Sequence, residues 1–148
     1  MLKIAIAADH GGFELKNKVV KWLKDAGHEV NDLGNNVYDP KDDYPDFAIA
    51  VGEVMSQSGA DKGIVICGSG VGACIAANKF KGVRACVCHD TYSARQGVEH
   101  DDMNVLCLGA RIIGENLAME LISAFVDARF IKEERFLRRL DKVIKLEK

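Results

Sequence analysis

The run Gly63-Ile-Val-Ile-Cys67 is apolar throughout, stops at a cysteine, and breaks into Gly68-Ser-Gly70-Val-Gly72 before a helical pattern begins. Few local structures accept that order: a strand covered on both faces, a tight turn and a helix start. At such a junction several backbone N–H groups and the positive end of a helix point at one spot, and glycines let an anion approach them closely. The stretch reads as an anion cradle with the Cys67 thiol at its rim. A plain βα turn, in which the glycines serve geometry alone and Cys67 is a small buried hydrophobe, is the alternative.

Ile4-Ala-Ile-Ala-Ala8 is also apolar at every position, as expected of a strand inside a parallel sheet with helices on both faces. Asp9, His10, Gly11 and Gly12 follow at its carboxyl end, where α/β sheets place their ligands, which makes Asp9 and His10 site candidates. Apolar residues from Phe13 to Ala26 recur at helical spacing, Gly27 stops that helix, and 28–33 form a second strand. The Asn-, Asp- and Gly-rich stretch 34–45, with both prolines, is a loop. Asp46 is placed to cap a helix over 47–58, and the helix after the cradle covers 73–80. Beyond it, 83–88 reads as a buried strand, 91–100 as a shorter helix, and 104–108 as a strand ending at Gly109, Ala110 and Arg111. A wide apolar stripe marks a helix over 115–129, and 131–146 is a charged helix in which Phe136, Leu140, Val143 and Ile144 are apolar. The order predicts a single domain over 1–148, a doubly wound three-layer α/β sandwich with a five-stranded, mostly parallel sheet.

A chain of 148 residues can bury roughly 70% of its unfolded surface, enough for a full core. Its net charge of -2 gives no basic excess, so neither nucleic acid nor an anionic membrane is an expected partner. No apolar run is long enough to span a bilayer and the N-terminus opens on a strand, so a cytoplasmic location is expected. Five cysteines without framework spacing read as reduced thiols. Cys86 and Cys88 share a strand face without further ligands beside them, and no metal is expected.

Strand carboxyl ends gather on one side of such a sheet. Asp9, His10, Cys67, Gly68, Ser69, Gly70, Val71, Gly72 and Arg111 should therefore converge. His100, in the segment feeding the last strand, need not belong to the same subunit's cleft. Arg135 and Arg139 are i and i+4 on the final helix and can grip one anion together, or form a solvated face paired with Glu133, Glu134 and Asp141.

Ala8-Asp-His-Gly-Gly-Phe13, Asp43-Tyr-Pro45, Ile66-Cys-Gly-Ser-Gly-Val-Gly72, Ala76-Ala-Asn-Lys79, His100-Asp-Asp-Met-Asn104 and the paired arginines, in this order, resemble the type B ribose-5-phosphate isomerase family. The wider family includes galactose 6-phosphate and allose 6-phosphate isomerases. The resemblance implies an aldose–ketose isomerase of sugar phosphates, without metal or organic cofactor, in which Cys67 moves a proton between carbons through an enediolate held by the glycine-loop N–H groups. It also implies His100 as the ring-opening residue, Asp9 and His10 as substrate-binding residues, and Arg111, Arg135 and Arg139 as the phosphate-binding arginines. Family members are dimers whose site draws on both chains, so a homodimer or homotetramer is expected, with the 131–146 helix at an interface. Asp101, Ser69 and Phe136 stand where many members have Asn, Thr and His. A carboxylate at Asp101 would repel a phosphate yet accept a sugar hydroxyl, and pocket depth near Tyr44 and Asp101 would select a five- or six-carbon substrate. Two other readings compete. Gly68, Gly70 and Gly72 after a strand, with Asp90 further on, suggest a nucleotide-binding domain, although Ala73 occupies the third-glycine place of that fingerprint. A sugar-phosphate sensor would keep the arginines without needing Cys67.

Overall fold

The computed structural model describes residues 1–147. Strands β1 (Lys3–Ala8), β2 (Glu29–Asp32), β3 (Lys62–Cys67), β4 (Ala85–Val87) and β5 (Val105–Gly109) form one sheet in the order β2-β1-β3-β5-β4. Every pairing is parallel, so the sheet is fully rather than mostly parallel. Helices α1 (Phe13–Asp25), α4 (Thr91–Asp101) and α5 (Glu115–Asp127) cover one face, and α2 (Tyr44–Ser56) and α3 (Val71–Ala77) the other.

The unbroken apolar runs sort their side chains between two cores. Ile4, Ile6, Ile64, Ile66, Leu106 and Leu108 meet Val19, Leu23, Leu121 and Phe125 on one side. Ala5, Ala7, Val65 and Cys67 meet Val51, Met55, Ala73 and Ala77 on the other. Strand residues on the second face are smaller, so α2 and α3 sit close to the sheet. A Cβ on Gly63 would come within 2.7 Å of Val51, and one on Gly52 within 2.4 Å of Phe80.

Several boundaries differ from the sequence reading, each for a local reason. Helix α2 begins at Tyr44 with Asp43 as its N-cap, because Pro45 fits the first turn, where its missing N–H leaves no bond unmade; Asp46 lies inside that turn rather than capping it. Strand β4 is three half-exposed residues at the sheet edge, not a buried run over 83–88. It pairs with β5, and its free edge is closed by Asn78, whose side chain donates to the Ala85 carbonyl at 2.9 Å and accepts from the Ala85 N–H at 2.8 Å, and which follows the end of α3. Helix α6 (Glu134–Ile144) buries only Phe136.

Helix α5 ends at Asp127, where the buried Lys62 ammonium is held by carbonyls alone: it donates to Phe125, to Val126 at 3.3 Å and to Ala128 at 2.9 Å. Burial, with Arg129 nearby, pulls the Lys62 pKa down to about 8 despite Asp127, Asp102 and Asp61. No helix among the described residues is long and apolar enough to cross a membrane.

Candidate active site

The chain leaves β1 toward β2 and leaves β3 toward the opposite edge, so the strand order reverses between β1 and β3. That reversal opens a crevice at their carboxyl ends. Asp9 follows β1 and folds its own loop, its Oδ1 accepting from the N–H groups of Gly11 at 2.9 Å and Gly12 at 3.3 Å. The loop lies hard against β3, since a Cβ on Gly12 would sit 2.5 Å from the Ile66 carbonyl oxygen and one on Gly11 would sit 3.1 Å from the Gly68 nitrogen.

Cys67 ends β3 at 5% exposure, so the thiol lies beneath the cradle rather than at an open rim. It is not merely core filling: its Sγ accepts the Gly70 N–H at 3.1 Å. Gly70 makes that bond with φ +81, in the left-handed region, where a Cβ would also press on the Leu108 carbonyl at 3.0 Å. The Tyr44 ring lies over Gly72, 2.4 Å from where a Cβ would be, and thereby bounds the cradle on the α2 side. Helix α3 has only seven residues, so the individual loop amides carry the positive end rather than a long aligned dipole. The Ala110 N–H donates to the Cys67 carbonyl at 2.8 Å and the Arg111 N–H to the Gly68 carbonyl at 3.1 Å. The Arg111 guanidinium thereby runs beside Gly68, 3.7 Å from its Cβ position.

Asp42, from the loop before α2, carries no motif and lies 32 residues from its partner, yet it is tied to His10 twice. Its Oδ1 accepts the His10 backbone N–H at 2.9 Å and meets the ring Nδ1 at 2.7 Å, while its Oδ2 takes the Asn35 amide at 3.2 Å. The Asp42 hydrogen bond raises the His10 pKa, against burial and Arg111 and with help from Asp9. Burial pushes the Asp42 carboxyl up, but the His10 and Asn35 bonds outweigh it and hold it below the usual carboxylate range. One oxygen or ring nitrogen from each of Asp9, His10 and Asp42 lies within 4.8 Å of the others, and Asp9 Oδ1 and both Asp42 oxygens are engaged in these protein bonds. His89 is a second residue without a sequence signal; its Nε2 accepts the Gly109 N–H at 3.0 Å and fastens the end of β5.

His100, Asp101, Arg135 and Arg139 do not join this crevice. His100 is near the end of α4, and the chain beyond it bonds to the start of β4: the Arg84 guanidinium pairs with Asp102 at 2.9 Å, and its backbone N–H donates to the Asn104 side chain at 2.8 Å. That is the amino edge of the sheet, about 16 Å from the carboxyl edge along five residues of β5. There the His100 ring stacks on Phe136 at 4.2 Å and 17°, its Nδ1 2.9 Å from the Gln96 amide. The Arg135 guanidinium lies 4.5 Å from the same phenyl ring and pairs with Glu133 at 3.1 Å. Arg139 and Asp101 line a cleft of about 790 Å³ together with Lys79, Arg84 and Leu140.

The carboxyl edge makes this an α/β protein of the class that places its ligands where the strand order reverses. The chain belongs to the ribose/galactose isomerase family, whose model matches residues 4–143. It is 44% identical over 130 residues to ribose-5-phosphate isomerase B of Escherichia coli, covering 88% of this chain and 87% of that one. It is 43% identical over 133 residues to the D-erythrulose-4-phosphate isomerase of Pectobacterium atrosepticum, covering 88% and 86%. The crystal structure of ribose-5-phosphate isomerase B from Mycoplasma genitalium with bound ribulose-5-phosphate superposes with a TM-score of 0.91 at 42% identity, over 98% of this chain and 95% of that one. The nucleotide-binding reading gives way to this family.

Proposed function

We propose that the protein interconverts an aldose phosphate and its ketose, with ribose 5-phosphate and ribulose 5-phosphate as the favoured pair. The observation that carries the reading is the Cys67 sulfur held by the Gly70 N–H at 3.1 Å, beside Asp9, His10 and Arg111 in the crevice. As thiolate, Cys67 takes the proton from C2 of the open-chain aldose and leaves a cis-enediolate. The same thiol returns the proton to C1, while the hydroxyl proton moves from O2 to O1. Loop N–H groups aimed at the enediolate oxygens supply fixed donors where charge develops, a contribution of several kcal/mol. Asp9 and His10 bind the sugar, and Arg111 faces its anionic end.

The same reading supplies the missing residues from a second copy of the chain: His100 to open the furanose ring, and Arg135 and Arg139 to grip the phosphate. Exposed apolar residues on α3 (Val71, Ile75) and α6 (Leu137, Val143, Ile144) support a homodimer that would bring the two edges together. Chain length of the sugar is the finer question, because a relative at 43% identity acts on a four-carbon phosphate. A panel of tetrose, pentose and hexose phosphates assayed for aldose–ketose conversion tests it. The highest kcat/KM is expected for the pentose, and preference for a tetrose or hexose phosphate would reassign the substrate.

A further inference from the structure

We propose that Asp42 is a positioning residue for His10, holding its imidazole as a fixed cationic donor toward an anionic oxygen of the substrate; this rests on the reading of His10 as a substrate-binding residue. A carboxylate oxygen only accepts, so the Nδ1 facing Asp42 Oδ1 at 2.7 Å must carry the proton. Because the same oxygen also takes the His10 backbone N–H at 2.9 Å, main chain and ring are anchored to one point. The ring then has one free nitrogen, Nε2, and its side chain keeps 29% exposure while that of Asp42 keeps 7%. The carboxylate is thus hidden from solvent behind the imidazole it charges.

Three charged groups face His10: Asp42 from the loop before α2, Asp9 from its own loop, and Arg111 from the segment after β5. Two favour the imidazolium and one opposes it, and with the Asp42 hydrogen bond the balance raises the His10 pKa against burial. Charged, Nε2–H donates to an anion and the neighbouring Arg111 adds a second cation. Neutral, Nε2 is an acceptor and repels the same oxygen. Anion affinity at this loop should therefore follow the protonation of His10, and Asp42 sets where that protonation ends.

The test uses the full-length protein with inorganic phosphate as the probe, the His10 ring titration followed by NMR, and the variants Asp42→Asn and Asp42→Glu. Asp42→Asn is expected to move the His10 titration to lower pH. The ratio of phosphate affinities, unaltered protein over variant, should stay near one at pH about 5, where both rings are charged. Once pH exceeds both midpoints, it should approach about tenfold for each pH unit that separates them. Asp42→Glu, which keeps the carboxylate, should hold the titration nearer the original. An unmoved titration in Asp42→Asn, or an equal loss of affinity at every pH, would overturn the positioning role and leave Asp42 a purely structural tie. A moved titration with unaltered phosphate affinity would instead remove His10 from the binding site, which is failure of the reading beneath.

Discussion

The two edges of the sheet carry the candidate residues in opposite ways. At the carboxyl edge each is fastened by hydrogen bonds from its own sheet end: Asp9 by two glycine amides, Cys67 by the Gly70 N–H, Arg111 through the Gly68 carbonyl, and His10 by the Asp42 carboxylate. At the amino edge His100, Arg135 and Arg139 ride on helices, and the His100 ring and the Arg135 guanidinium both lie against one buried side chain, Phe136. The first set is finished within a single chain. The second lies at the opposite edge from the crevice, which is why the proposed function draws it from a second copy of the chain.

The strongest way to break this contrast is Cys67→Ala. If Cys67 is the base, as proposed, its loss should lower turnover at least about 100-fold in both directions while sugar-phosphate binding survives; substantial residual turnover would hand the role to another group. His100→Asn should split the directions, provided the substrate is the pentose phosphate. Ribulose 5-phosphate cannot close a furanose ring because its C5 oxygen is esterified, so ring opening is needed only when the aldose enters. Initial rates measured both ways should show the ketose reaction largely spared and the aldose reaction limited by spontaneous opening. Equal large losses would move His100 into binding or isomerisation.

Arg139→Ala tests the amino edge more gently. Binding of phosphorylated sugars should weaken by about 1.5–3 kcal/mol, the worth of a charge-assisted bond, with thermal stability unchanged. Unchanged affinity by calorimetry would return Arg139 to a solvated face. Gly12→Ala asks the converse question of the carboxyl edge. With a Cβ 2.5 Å from the Ile66 carbonyl oxygen, it should lower unfolding free energy by about 1–3 kcal/mol in denaturant titration. A neutral result would mean that the Asp9 loop yields more readily than its packing implies.

The contrast also explains what was legible in the sequence. Unbroken apolar runs with polar residues after them marked β1, β3 and β5 and with them Asp9, Cys67 and Arg111, because strand ends in a parallel sheet are collected by topology. The 83–88 run was deceptive: β4 is a short edge strand, and apolar content alone does not distinguish edge from centre. Pro45 marked the true start of α2 more reliably than Asp46 did. Gln96 stands i−4 from His100 and was open to helical spacing. Asp42 was not, since its partner lies 32 residues away and only the folded loop brings them together.

Lys62 has a consequence for how the molecule comes apart. Its ammonium joins the first residue of the central strand to carbonyls 63 to 66 positions later, at the end of α5. Fraying that starts in the thinly anchored α6 can run back along the chain only until it reaches this latch. Going further would strip a buried cation of its acceptors together with Phe125 from the core. Hydrogen exchange and limited proteolysis should therefore find a sharp boundary near residue 128: quick opening beyond it, and before it amides that open only when the whole sheet does.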